Sequence, residues 1–280
     1  MTRHEILGVT HVPSLEAFLA RTGTVFRRFD DQDSGCVSYG VLDGGRRWFV
    51  KSAATPLGVS SLNRAVLVHK TVVHPAIVPL LHSFTTDEGL ALVHPWVEGQ
   101  VLYHPTRSRH GGRSAPDSPL ARFRRLPVPT VLAAVDSILH AHLAVEQGGL
   151  VAVDLYDGCM LYDFEKHEMR LCDLDEYRPG PFTLEADRLP GSARFMAPEE
   201  FVKGSRIDIR TTVFTLGRAM RLLLDSGDEE EQWRGTSGQL AVIGKATAAD
   251  PESRYPSVRH LVDAWQAAAR EGFDRARSGT

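Results

Sequence analysis

Apolar and polar positions change their rhythm along this chain. Near the start, residues 14–22 (SLEAFLART) place Leu15, Phe18 and Leu19 at helical spacing behind Ser14, a favoured cap, and predict a helix. The runs TVFRRF, CVSYGVL and RWFVKSA are short, rich in β-branched and aromatic residues, and predict three strands. Asp43-Gly44-Gly45 between the last two is a hairpin signal. Residues 61–73 then return to helical spacing through Leu62, Val66, Leu67 and Val73. His74-Pro75 closes that stretch, because proline disfavours helix in the residue before it. AIVPLLHSF and LALVHPWV predict two more strands around the turn Asp87-Glu88-Gly89.

The second part differs. Residues 103–119 are rich in Arg, Ser, Gly and Pro, lack an apolar period, and read as a loop. Residues 129–147 are strongly helical, and TVFTLGRAMRLLLD, GQLAVIGKATAA and VRHLVDAWQAAAREGF predict further helices. Between them, GLVAVDLYDGCMLYDF holds two apolar runs, 150–153 and 159–162, interrupted by Asp154 and Asp157. Taken alone, this is a strand pair around an Asp-Gly turn. A β-rich first part, 1–95, thus precedes a mainly helical second part, 96–280, which is an α+β pattern.

Bulk properties narrow the function. A net charge of −3 gives no reason to expect nucleic acid as a partner. No uninterrupted apolar run reaches the roughly 18 residues of a membrane span, and the start lacks a signal-peptide pattern. Cys36, Cys159 and Cys172 show neither disulfide nor zinc spacing, so a reducing, cytoplasmic setting is expected. The 12 histidines show no metalloprotease pattern. Only five lysines occur, which draws notice to Lys51 in an apolar strand, where an ammonium needs an anion. Asp154, Asp173 and Asp175 follow or interrupt apolar runs. Gathered carboxylates repel one another unless a cation sits among them, and their hard oxygens suit magnesium with polyphosphate.

In this order the motifs resemble the protein kinase superfamily, over roughly residues 26–265. WFVK resembles the strand whose lysine holds the α- and β-phosphates of ATP, which gives Lys51 that role. LALVHPWVEGQVL resembles the strand entering the hinge. It implies a gatekeeper at His94 and adenine contacts at the Pro95 carbonyl and Val97 amide. VAVDLYDGC resembles the catalytic loop, with Asp154 as the base that accepts the hydroxyl proton. DLD resembles the magnesium motif, with Asp173 on the metal. GSARFMAPEEF resembles the end of the activation segment, and DPESRYPS the late segment whose Arg254 pairs with Glu199. Asp154 and Asp173 are 19 residues apart, and Asp173 and Glu199 are 26 apart, both family-like separations.

The resemblance implies a two-lobed fold. Its first lobe is a small antiparallel sheet with one main helix, and its second is larger and helical. It implies ATP and Mg²⁺ as cofactors and transfer of the γ-phosphoryl to a protein Ser/Thr hydroxyl. The chain also departs from the family. In FDDQDSGCV only Gly35 and Val37 fit the glycine-rich loop, while Asp30, Gln32 and Asp33 fall where phosphate should approach. Ala65 stands for the helix glutamate, Val153 for the arginine beside the base, Cys159 for the metal-binding asparagine, and Thr212 for the buried-helix aspartate. Asp175 replaces a glycine, giving a D-x-D pattern similar to small-molecule kinases, and with Asp157 is a candidate to supply the oxygen that Cys159 lacks. Three readings follow: a protein kinase, a pseudokinase that binds a protein partner without turnover, and a small-molecule kinase.

Overall fold

The computed structural model describes residues 4–30, 35–104 and 112–278, so Gln32 and Asp33 and part of the 103–119 loop lie outside it. The fold is α+β. Seven α-helices and a mixed six-stranded sheet are present among the described residues. The chain divides into two compact units, Met1–Val73 with Ile77–Glu98, and His74–Ala76 with Gly99–Thr280.

The first unit contains β1 (His11–Val12), α1 (Leu15–Thr22), β2 (Thr24–Phe29), β3 (Val37–Asp43), β4 (Arg46–Ala53), α2 (Pro56–Thr71), β5 (His82–Thr86) and β6 (Leu90–Pro95). Its sheet runs β1-β5-β6-β4-β3-β2. The sheet is mixed rather than antiparallel, because β1 joins β5 in parallel. It also carries two helices rather than one main helix. The Ser14 hydroxyl caps α1 by accepting from Ala17 N–H. Gly44 and Gly45, at φ +54° and +79°, form the two left-handed positions that a tight hairpin requires. Helix α2 starts at Pro56, five residues before the apolar spacing predicts. Thr55 caps it and proline occupies the first turn, and these local signals outweigh the weak helix formers Gly58, Val59, Ser60 and Ser61. The strand expected in AIVPLLHSF starts late: its pairing begins at His82, past Pro79, which has no N–H to give a ladder.

Both faces of this sheet are covered. Tyr39, Val41, Trp48, Val50, Phe84, Ala91 and Val93 face Ile6, Val12 and the α1 residues Leu15, Phe18 and Leu19. Phe18 meets Phe84 edge-on at 5.6 Å. On the other face Cys36, Ala53 and Leu92 pack with Leu62 and Ala65 of α2. Burial on two sides fits the consecutive apolar residues Trp48, Phe49 and Val50 within β4.

The second unit contains β7 (Gln100–Val101), α3 (Pro119–Arg124), α4 (Val128–Gln147), β8 (Leu150–Val151), β9 (Met160–Asp163), β10 (Glu168–Leu171), β11 (Arg178–Pro179), β12 (Phe182–Thr183), β13 (Arg206–Ile207), α5 (Ile209–Leu224), α6 (Ser237–Ala246) and α7 (Val258–Ser278). Helix α5 is its centre, buried along most of its length. Helix α4 is long and apolar enough to cross a membrane, but half of it is buried inside the protein. Its His142 is fully buried and bonds the Ile138 carbonyl and the Tyr177 hydroxyl. Burial holds that imidazole neutral, with its pKa lowered to about 4.

The two apolar runs around Asp154 do not pair with each other. β8 pairs with β11, while β9 pairs with β10 and β7. Residues 152–159 therefore connect two different sheets, and this connection carries the acids.

Candidate functional site

Two aspartates of the second unit hold an uncommon backbone. Asp154 lies at φ +61° and Asp173 at φ +60°. The left-handed region costs a non-glycine residue on the order of 1–3 kcal/mol unless its surroundings impose it. Those surroundings are visible. Val153 and Leu155 are buried on either side of Asp154, and Leu174 is buried after Asp173. The Ala152 N–H donates to Thr212 Oγ1 of α5 at 3.0 Å. Thr212 stands where the resemblance expects an aspartate, and its hydroxyl supplies the acceptor.

Cys159 joins the two acidic turns. Its buried thiol donates to the Asp154 carbonyl at 3.3 Å and lies 3.8 Å from the Asp173 carbonyl. The Cys172 N–H donates back to the Cys159 carbonyl at 2.9 Å. Burial, then the charges of Asp173 and Asp154, push the Cys159 thiol well up. It stays neutral and is no magnesium ligand. The neighbouring Tyr156 phenol is raised by the same burial and by Cys159 and the same aspartates, so it too keeps its proton. Gly158 is needed because a Cβ there would sit 2.4 Å from the Tyr156 ring.

Asp157 has a structural role. Its buried carboxylate accepts two bonds from Arg113, at 2.6 and 2.8 Å. The Arg113 guanidinium lies 3.5 Å over the Tyr103 ring. A carboxylate held by both oxygens has little left to offer a cation. Asp175, 9% exposed, follows the buried Leu174, and Asp173 is exposed. Among the described residues, no three His, Cys, Asp or Glu side chains gather as a metal-holding group.

Residues 188–200 form one wall beside Asp154. Gly191 has φ +145°, and a Cβ on it would lie 3.1 Å from the Met196 sulfur and 3.5 Å from Asp154 Oδ1. Glu199 accepts from both terminal nitrogens of Arg254, at 2.7 and 2.8 Å, and from the Thr211 hydroxyl at 2.7 Å. This is the pair expected between the two distant motifs. Glu200 is buried, and one of its oxygens accepts from Ala197 N–H at 2.6 Å. Burial, helped by Glu199 and Asp154 and opposed by the Ala197 bond, raises its pKa to about 8.

That shift predicts a pH effect. A carboxyl with a raised folded pKa contributes stability below its unfolded value and loses it as pH rises towards about 8. Stability of the unaltered protein should fall over that window by up to about 1.4 kcal/mol per pH unit from this group. Glu200→Gln keeps an acceptor for Ala197 and should flatten the slope. Urea midpoints of both proteins at pH 5.5 and 8 check this, and parallel changes in both would remove Glu200 as the cause.

The first unit places the other expected residues. Lys51 lies inside β4 rather than at its end, between Ser38 of β3 and Leu92 of β6. It is 6% exposed, on the face that α2 covers. That helix presents Leu62, Ala65 and Val68 to the core and carries no acid. Beside Lys51 the fully buried Ser38 hydroxyl has no hydrogen-bond partner among the described residues. On the same face, Phe49 packs at 5.9 Å on Phe29 and 6.3 Å from His94. His94 also meets His69 edge-on at 5.4 Å, and burial lowers the His69 pKa to about 4.

Val37, expected beside the nucleotide, opens β3. It packs with the α1-side cluster and pairs with Ser52, so its side chain lies on the opposite face from Lys51; Cys36 and Ser38 take the Lys51 face. Gly35 has φ +69° and open space where a Cβ would stand. Trp96 N–H donates to the Arg47 carbonyl. The Pro95 carbonyl, on the same peptide, therefore points away from β4, beyond the last residue paired with β5, and Val97 follows the end of β6.

The sequence leaves three site features unsignalled: Arg113 on Asp157, the raised Glu200, and the buried Ser38 hydroxyl. Compared with models of protein families the chain matches none, and no curated protein matches it at a significant level.

Proposed function

We propose that this chain is an ATP-dependent phosphotransferase of the protein kinase superfamily that transfers the γ-phosphoryl to a Ser/Thr hydroxyl of a protein. The observation that carries the reading is the pair of left-handed aspartates, Asp154 and Asp173, tied together by the Cys159 thiol. Such strain collects at functional sites. The Glu199–Arg254 pair supports it, since the same resemblance leads one to expect that contact. The two-lobed arrangement, divided near residue 95, belongs to this proposal, as does a cytoplasmic setting.

In this reading Asp154 orients the acceptor hydroxyl and takes its proton. Lys51 and the Ser38 hydroxyl offer donors to phosphate oxygens, and Gly35 leaves room for backbone approach. The Pro95 carbonyl and Val97 amide meet the adenine edge. Asp173 and Asp175 are hard oxygen donors, and two carboxylates fit an ion that brings phosphates and water as its remaining ligands. Magnesium, when bound, neutralises charge on the transferred group.

A second reading, a binding module without turnover, is favoured by the neutral Cys159 thiol, by Phe49 on the Lys51 face, and by an α2 that carries no acid. The D-x-D spacing of Asp173 and Asp175 favours a small-molecule acceptor as a third. Thermal unfolding with ATP separates the first two. With magnesium present, saturating ATP should raise Tm by roughly 5 °C, and ATP alone should do much less. No shift under either condition overturns the enzyme reading and leaves the module. Radiolabelled ATP offered with protein or metabolite acceptors then distinguishes the third.

A further inference from the structure

The turn after α5, DSGDEEEQWRG, is strongly acidic, and three of its carboxylates are committed to arginines. Asp225, fully buried, pairs with Arg221 and accepts from the Gly227 N–H at 3.0 Å, which closes the turn on itself. Asp228 takes Arg124 of α3 at 2.6 Å and Arg194 at 3.2 Å. Its carbonyl accepts from the same Arg194 guanidinium at 2.5 Å. Glu230 accepts from Arg218 of α5 with both oxygens, at 2.6 and 2.9 Å. Arg218 Nε in turn donates to the Arg194 carbonyl at 3.0 Å. Glu230 itself is left-handed, at φ +59°, so the turn accepts backbone strain to make this contact. Glu229 and Glu231 point to solvent.

Arg194 is therefore gripped at its guanidinium by Asp228 and at its carbonyl by an arginine that Glu230 holds. It belongs to the segment 191–197, which folds back on itself: Phe195 N–H donates to the Ser192 carbonyl, and Ala197 N–H to Glu200. The same segment brings Gly191 against Asp154 Oδ1.

We propose that the acidic turn 225–231 is a built-in ionic clamp that fixes segment 191–197 against Asp154, with Asp228 and Glu230 as positioning residues. Fixed carboxylates do here what an added phosphate could do elsewhere, namely hold arginines and so order a segment. The clamp itself stands on contacts within the second unit. Its consequence for phosphoryl transfer rests on the function proposed above.

Amide hydrogen exchange on the full chain tests the clamp without any activity. In Asp228→Asn and in Glu230→Gln, the Phe195 and Ala197 amides should exchange about tenfold faster or more, while α4 amides stay as they were. Raising salt from about 50 to about 500 mM should move the unaltered protein in the same direction, because these pairs are partly exposed. Asp228→Glu should recover part of the protection. Arg194→Gln added to Asp228→Asn should add little, as expected for partners in one contact. Glu231→Gln should change nothing. Unchanged exchange at Phe195 and Ala197 in both variants overturns the clamp. So does equal acceleration in α4, which would mean a general loss of stability, or an equal effect from Glu231→Gln. If Asp228→Asn does not fold, the salt series and Glu230→Gln still decide.

Discussion

Under the proposed phosphotransferase function, Asp154→Asn is expected to lower phosphoryl transfer by about 10²-fold or more while leaving the protein folded. Asparagine is nearly isosteric with aspartate and tolerates the left-handed backbone at φ +61°. The thiol bond from Cys159 goes to the carbonyl of residue 154, so it survives the change. The variant thus removes a proton acceptor and its negative charge. ATP-dependent stabilisation should persist, because Lys51, Asp173 and Asp175 remain. Steady-state rates with a protein acceptor, read beside the thermal shift, check this. An unchanged rate with intact binding would take Asp154 out of the mechanism. Lost binding as well would mean that the carboxylate shapes the loop rather than the chemistry.

Arg254→Met should cost about 3–5 kcal/mol of stability. The Arg254 side chain is fully buried and Glu199 nearly so. Beyond Glu199, the guanidinium donates to the carbonyls of Ala248, Ala249 and Arg210. Methionine leaves those three acceptors and a buried carboxylate without their donor. Burial would raise the Glu199 pKa, but the Arg254 bonds, aided by its own backbone and the Thr211 hydroxyl, outweigh burial and hold it low. A depressed pKa contributes stability above the ordinary glutamate range and loses it as pH falls through the folded value. In Arg254→Met that acid-side loss should vanish, and Glu199→Leu added to it should restore part of the deficit. Urea unfolding at pH 7 and pH 4 measures both. A cost below about 1 kcal/mol at pH 7 would mean that the pair contributes no more than an exposed one.

How much of this was readable in the chain depends on how local the cause is. The β3–β4 hairpin was legible because Asp43-Gly44-Gly45 states its own turn geometry. The contact between Glu199 and Arg254, 55 residues apart, was legible only through resemblance, since nothing in either neighbourhood points to the other. Which face of β3 Val37 takes was not legible, because CVSYGVL is apolar on both sides of its strand and alternation cannot say which side meets which helix. The partners of β8 and β9 were hidden for a similar reason. Adjacent apolar runs suggest a hairpin, whereas their hydrogen bonds go to strands further along or earlier in the chain. Arg113 sits in a stretch with no period, so its commitment to Asp157 has no sequence signal. In the acidic turn, four like residues stand side by side, and only coordinates separate Asp228 and Glu230, which are engaged, from Glu229 and Glu231, which face water.

The opening twenty or so residues have a consequence of their own. Ile6, Val12, Leu15, Phe18 and Leu19 roof one side of the six-stranded sheet, above Trp48 and Phe84. Trimming the chain back to Thr24 would strip that roof and hand a greasy, tryptophan-bearing slab to solvent. These residues belong to the folding unit itself, and a shortened version intended for nucleotide work would clump before it could bind anything.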